Sequence, residues 1–407
     1  MLSRSDNKRL SIAIVGGGIG GVALAVGLSR DPGLEVHLFE AVQQFSEIGA
    51  GVSFGPNAVR SICLLGLEDA YRSIADSTPP PSEDVWFEWR RWHDDEYLSA
   101  SLAPGCGQSS VHRADFLDAI VQHLPQGTAH FGKRCITIEQ DDDGVTLHFE
   151  DGSDFHCDAL IGFDGIKSAV REHVLPASQY GDLGPQWSGT YAYRGMIDSD
   201  TLASAMQAKG ADSRLAVVPQ MYLGPDRHIL TFPVKHSSLI NVVAFITDRS
   251  TPNPRLPEGE AWVTGVSQEQ MLADFEGWGP ASQAILEGIP QPTRWALHDL
   301  PQLPHYCRHR VLLAGDAAHA MLPHQGSGAG QALEDAVVLA ELLTDADCDR
   351  EPNVVQRKAG DVYEYAGQDT GRDEHRIKSD LESRFDWIWQ HDPLDDVAHA
   401  KGQLGWC

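Results

Sequence analysis

Hydrophobic and polar positions follow several distinct patterns along the 407-residue chain, and each predicts a different element. Leu10–Val15 is an unbroken apolar run without helical period, bounded by glycines, which predicts a strand buried on both faces of a parallel sheet. Gly21–Arg30 spaces its apolar residues as a helix does and ends at Asp31-Pro32-Gly33. Leu34–Glu40 returns to strand character, so the chain opens with a β-α-β unit whose connection is expected to cross over right-handed.

Residues 57–76 and 114–124 have helical period, while Val85–Trp92 alternates aromatic and charged residues as a two-faced strand would. Ile136–Gln140, Val145–Glu150 and Phe155–Gly162 read as strands, the first two joined across Asp141–Gly144. Four further runs, Trp187–Met196, Arg214–Leu223, His228–Val234 and Leu239–Thr247, alternate and are separated by short turns, which predicts an antiparallel sheet. Val311–Gly315 resumes the buried-strand style and Ser327–Thr344 continues as a long helix, so the chain leaves its opening domain and re-enters it. The last 60 residues carry helical patterns. The expected class is α/β, and no apolar run approaches the roughly 20 residues that span a bilayer.

Charge narrows the partners. Fifty-eight acidic residues face 31 basic ones, a net charge of −27, so the global field repels phosphate backbones and anionic lipid; nucleic-acid and membrane partners are not expected. Any anionic ligand must be drawn by local arginines. The seven cysteines are scattered without a C-x-x-C pair or a Cys/His cluster, which predicts reduced thiols and no metal. The opening residues lack the apolar core of a secretory signal, and a cytoplasmic protein, monomer or homodimer, is expected.

The first chemistry lies at Gly16-Gly-Gly18-Ile-Gly20-Gly21, a G-x-G-x-x-G between a buried strand and a helix. Glycines there permit a tight turn and bring a pyrophosphate close to the helix N-terminus. Glu40 ends the second strand, placed to accept hydrogen bonds from an adenosine ribose. An acid at that position favours a free 2′-hydroxyl, so FAD or NAD fits better than NADP.

Three further segments carry a family resemblance: Gly162-Phe-Asp164-Gly165-Ile-Lys-Ser168-Ala-Val-Arg171, Gly315-Asp316-Ala-Ala-His319-Ala-Met-Leu-Pro323, and His324-Gln-Gly326-Ser-Gly328-Ala-Gly330-Gln331-Ala-Leu-Glu334-Asp335. With the opening fingerprint, and in this order over residues 10–345, the chain resembles the aromatic-hydroxylase class of flavoprotein monooxygenases, nearest its salicylate-hydroxylase-like branch. The resemblance implies a Rossmann-type FAD-binding domain from residues 1–175 and 300–345, interleaved with a β-sheet substrate domain over 176–299 and followed by a helical segment over 346–407. It implies an enzyme that uses FAD, NADH or NADPH, and O2 to hydroxylate a small phenol or aromatic acid through a flavin C4a-hydroperoxide. A dearomatising hydroxylase or an epoxidase on the same machinery is the alternative.

By the same resemblance, Asp164 and Gly165 close a turn that serves FAD and the nicotinamide cofactor, and Asp316 meets the ribityl chain. Backbone N–H groups at Gly328 and Ala329 face the flavin pyrimidine, where a helix N-terminus suits the anionic reduced ring. Arg113 matches the family's flavin-binding arginine, and Glu47–Val52, with Gly51 and Val52, matches the loop over the isoalloxazine. The last 60 residues, including Tyr363–Arg372, lack a basic segment common among relatives, whereas Phe385–Asp392 resembles the tryptophan-rich end of the salicylate-hydroxylase-like members. Substrate contacts are expected from the predicted sheet and the loop before the long helix: Arg194 as partner of a carboxylate or phenolate, His228 and His324 as acceptors of a phenolic proton, and Tyr222 as a hydrogen-bond donor. His319 is expected to be structural.

Overall fold

The computed structural model describes residues 9–45, 51–252, 254–344, 381–383 and 385–404. Its first sheet has six strands in the order Cys307–Arg308, Val311–Leu313, Ala159–Gly162, Leu10–Val15, Leu34–Phe39 and Ala129–His130. All neighbours run parallel except the Cys307–Arg308 edge. The crossover helix Ile19–Leu28 is buried along all ten residues, as its nearly all-apolar sequence dictates, and packs against the long helix Gly328–Thr344.

The expected strand Phe155–Gly162 is two strands. Asp154–Cys157 belongs to a three-stranded antiparallel sheet with Val145–Phe149 and Cys135–Gln140, and Ala159–Gly162 belongs to the parallel sheet. Asp158 stands at the break, where its carboxylate accepts the Ser11 N–H at 2.8 Å and ties the turn to the first strand.

The large sheet has eight strands: Val263–Gly265, Thr293–Asp299, Gln186–Asp198, Leu239–Thr247, Arg227–Val234, Gln220–Gly224, Val85–Arg91 and Tyr97–Leu102. It is mixed rather than purely antiparallel, because Gln220–Gly224 and Val85–Arg91 run parallel. Two of its strands come from residues 85–102, so the expected 1–175 block is not one continuous part of the nucleotide unit. Arg214 lies outside the strand expected at Arg214–Leu223: Ser213–Ala216 is a 3-10 turn whose N-cap Asp212 accepts the Arg214 N–H.

Val85–Arg91 is buried on both faces rather than two-faced. Its charged side is neutralised internally. Arg90 donates to Glu88 at 2.7 Å and to Gln220 at 2.5 Å, and Arg214 donates to Glu88 at 2.9 Å. Burial alone would raise the Glu88 pKa, but its arginine and glutamine donors outweigh it and hold the carboxyl below its ordinary value.

One face of the large sheet is covered by helices, including Ser199–Ala208 and Pro280–Glu287, over a core that holds Tyr193, Ile240 and Ile285. The other face looks toward the nucleotide unit. Phe385 and Trp389 of the C-terminal segment close part of this side, stacked 4.9 Å apart, with Trp389 5.3 Å from Trp86. Residues 346–380, including Tyr363–Arg372, lie outside the described residues. Among the described residues no helix is long and apolar enough to cross a membrane.

Candidate active site

Val15 is register-paired with Phe39 and with Gly162, and Gly162 with Leu313. Four parallel strands therefore end at one level, and the residues that follow them, Gly16–Gly21, Glu40, Asp164-Gly165 and Gly315-Asp316, open onto one cavity of about 660 Å3. This carboxyl edge is where open α/β sheets bind ligands. The cavity extends to the large sheet, so both units line it.

Gly16 has φ +114°, and a Cβ there would lie 2.1 Å from the Phe163 carbonyl oxygen. Gly18 is the N-cap of the crossover helix and makes no side-chain cap, leaving that end of the helix to a ligand. Glu40 is tethered beneath the loop, where its carboxylate accepts the Gly17 N–H at 2.7 Å and the Val42 N–H at 2.9 Å.

Asp164 caps the helix Ala169–Val174, accepting the Ala169 and Val170 N–H groups at 2.7 and 3.1 Å, and burial raises its pKa. Arg171 joins the Asp164-Gly165 and Gly315-Asp316 turns by donating to the Ile166 carbonyl at 2.6 Å and the Ala317 carbonyl at 3.1 Å. Asp316 is exposed between buried neighbours, with Gly315 at φ +55°. Gly328 and Ala329 begin the long helix, Arg113 begins the helix Arg113–Val121, and all three line the cavity. Gly51 and Val52 line it from the strand Gly51–Phe54, where the Gly51 N–H donates to Asn241 at 3.1 Å; residues 47–50 lie outside the described residues.

These residues fit FAD. A chain of charge −27 gathers Arg113, Lys133 and Arg134 around this cavity, the charge a bound diphosphate needs. Beneath it, the Gly315 N–H and His319 Nε2 both meet the Asp335 carboxylate, at 2.8 and 2.6 Å.

The His319 pair has a pH signature. Burial depresses the imidazole pKa, but Asp335 outweighs burial and the folded value is raised. A raised folded value stabilises the protein fully below the unfolded value of about 6.5, and that contribution is lost as pH climbs through the folded value. His319→Gln is expected to lose about 1–3 kcal/mol near pH ~6 and less near pH ~9, read by denaturant melts at both; equal losses would refute the linkage.

The sheet register sorts the substrate candidates. Arg194 pairs with Val243, Val243 with Leu230, and Leu230 with Met221, one row facing the cavity. Tyr193, Ala244, Ile229 and Tyr222 form the adjacent row, which faces the opposite way into the helix-covered core. Tyr222 is fully buried there, so the expectation that it contacts substrate is corrected; strand parity sends its ring away from the cavity.

His228 is buried and stacks on its register partner Phe245 at 4.2 Å. His324, buried in the turn Pro323–Gln325, lies 5.0 Å from Phe245 and 5.2 Å from His228 and lines the cavity. Sequence reading missed the apolar and aromatic wall of Trp86, Met221, Leu230, Phe245 and Trp295; only the sheet register could have found it.

Arg194 is the cavity's most deeply placed cation. Its guanidinium carbon sits 4.6 Å over the Trp295 ring, and no carboxylate pairs with it among the described residues. Burial, with help from the Arg113 charge, lowers its pKa to about 10.

Comparison with known proteins agrees with this geometry. Residues 9–183 and 283–347 match the FAD binding domain family, and the match skips most of the large sheet. The chain is 55% identical over 422 residues to a salicylate hydroxylase of Pseudomonas putida, covering 99% of this chain and 97% of that protein. It is 40% identical to a 6-methylsalicylate 1-monooxygenase of Aspergillus terreus over 83% of this chain and 75% of that one. A solved salicylate hydroxylase substrate complex superposes with a TM-score of 0.86 at 45% identity, covering 96% of this chain and 98% of that one. The chain therefore belongs to the FAD-dependent aromatic-ring monooxygenases, in the branch that holds the salicylate hydroxylases.

Proposed function

We propose that the substrate is an ortho-hydroxybenzoate, with salicylate the first candidate, hydroxylated at the expense of NADH or NADPH and O2. The observation that carries this reading is Arg194, a half-buried guanidinium with no carboxylate partner among the described residues, facing the cavity beside an aromatic ring. Such a group favours a carboxylate, whose two oxygens match its fork. The names of the two relatives and of the superposed structure support the same substrate class.

Bound FAD supplies the chemistry of reductant oxidation and oxygen insertion. The chain's own residues bind, orient and exclude water. Arg194 holds the carboxylate, while Met221, Leu230 and Phe245 hold the ring and keep water from the reacting carbon. His324, on the loop that precedes the flavin-facing helix, accepts the phenolic proton and makes the ring more nucleophilic. His228 stands behind it as a positioning residue, sharing the Phe245 ring.

The test is oxygen uptake and NADH or NADPH oxidation by the purified flavoprotein across hydroxybenzoates and neutral phenols, with products identified. Salicylate stimulation, with hydroxylated product equal to the oxygen consumed, is the expected result. Stimulation by neutral phenols alone would overturn the assignment to Arg194, and a dearomatised or epoxidised product would favour the alternative chemistry.

A further inference from the structure

The cavity rim holds a second cation that neither the flavin nor the substrate reading uses. Lys167 is exposed and follows Asp164-Gly165 by two residues in the nucleotide unit. Its ammonium lies 4.0 Å from the ring centroid of Trp262, which belongs to the other unit just before the edge strand Val263–Gly265. Trp262 also stacks on His298 at 3.8 Å with the ring planes 14° apart. A face stacked that closely has no room for an ammonium, so Lys167 and His298 occupy opposite faces of the indole.

The plate is fixed to the sheet. The Trp262 carbonyl accepts the Ala296 N–H at 2.8 Å, and His298 Nδ1 lies 2.9 Å from the Ala296 carbonyl oxygen. Burial, reinforced by the Lys167 charge, holds the His298 imidazole below its ordinary value, so it is a neutral plate and not a competing cation. Lys167 has no carboxylate partner among the described residues, and all three side chains line the cavity that the glycine loop opens onto.

The chain must receive two dinucleotides but has one strand-glycine-helix fingerprint, and FAD takes it. We propose that Lys167, Trp262 and His298 form the docking site of the reduced nicotinamide dinucleotide, an inference that rests on the FAD-monooxygenase reading. The ligand's chemistry matches the plate and the cation: flat aromatic bases to stack, and a diphosphate to draw an ammonium. The ammonium of an exposed lysine is weakly held over a half-buried indole, whereas a diphosphate offers it charge-assisted hydrogen bonds. Lys167 therefore moves from the indole to the diphosphate, and the bared face of Trp262 receives a base. The site lies between the two units, which gives the co-substrate a place without a second nucleotide domain.

The test uses the full-length FAD-loaded protein and the variants Lys167→Met, Lys167→Arg and Trp262→Leu. Calorimetry reads NAD+ binding to the oxidised protein, and anaerobic stopped-flow bleaching of the flavin reads the NADH concentration dependence. The expected result is a rise of about tenfold in the NAD+ dissociation constant and NADH half-saturation for Lys167→Met and Trp262→Leu, the loss of one ion contact or one stacked ring. Lys167→Arg is expected to return most of the affinity, and the salicylate dissociation constant is expected to stay put. Unchanged NAD+ and NADH affinity in both variants would overturn the proposal. So would parallel losses for salicylate and NADH, which would make the triad a brace for the cavity. The calorimetry needs no aromatic substrate, so its outcome is separate from the fate of the salicylate reading.

Discussion

Replacing Arg194 with methionine is expected to weaken salicylate binding by about 100-fold, equivalent to ~2–3 kcal/mol, while FAD stays bound. The size follows from where the charge sits. Arg194 is half-buried, its Nε is enclosed and no carboxylate pairs with it among the described residues, so its guanidinium has surrendered part of its hydration before a substrate arrives. An anion entering the cavity meets a cation that water screens weakly, and removing that cation leaves the carboxylate without a partner in the same low-dielectric space. The global charge of −27 opposes the anion's approach, which makes the local cation matter more.

Titrating the flavin absorbance with salicylate measures the constant, and the ratio of flavin to protein shows that the cofactor is retained. Arg194→Lys is expected to recover only part of the affinity, because an ammonium cannot match both carboxylate oxygens. With a guanidinium pKa of about 10, affinity should be flat through neutral pH and fall only as pH approaches that value. A change below about threefold in Arg194→Met would remove the arginine from the substrate site.

The place of Arg194 on the cavity wall was legible in the sequence because it is a cation in a strand-like run of apolar and aromatic residues. Tyr222 was equally conspicuous and misleading. The two residues separate only when Arg194, Val243, Leu230 and Met221 are aligned across four strands, and strand pairing is long-range information that no single run contains. Val85–Arg91 was misread for a similar reason. Its alternation matches a half-exposed strand, but Gln220 and Arg214 arrive from 120 or more residues away and bury its charged side.

The geometry of the glycine loop was read with less loss because its requirements are local. A backbone conformation closed to other residues demands glycine at that position, and the pattern of glycines survives in the sequence. The division of Phe155–Gly162 between two sheets was not legible, since both halves have strand composition and only the Asp158 turn distinguishes them. The packing of Phe385 and Trp389 against Trp86 was likewise invisible, because Trp86 is about 300 residues earlier in the chain.

Gly16→Ala is expected to give a protein without flavin and with a sharply lower Tm. Two independent obstacles meet at this position. The backbone has φ +114°, which side-chain-bearing residues rarely adopt, and strain of this kind is worth about 1–3 kcal/mol. The added methyl would also lie 2.1 Å from the Phe163 carbonyl oxygen and 2.5 Å from its carbon, both backbone atoms with no rotamer to retreat into. Phe163 cannot yield easily, since its N–H donates to the Val15 carbonyl at 2.7 Å and Val15 is paired with Gly162 in the central strands. Relief therefore requires parting two parallel strands at the edge where the glycine loop begins. The same movement displaces the N-terminus of the helix Ile19–Leu28 from the ligand it faces, so loss of flavin and loss of stability have one cause. Thermal melts and the flavin absorbance of the purified variant, with and without added FAD, measure both. Full flavin occupancy with a Tm near that of the parent would show that the two strands can separate at low cost and that this close approach does not govern cofactor binding.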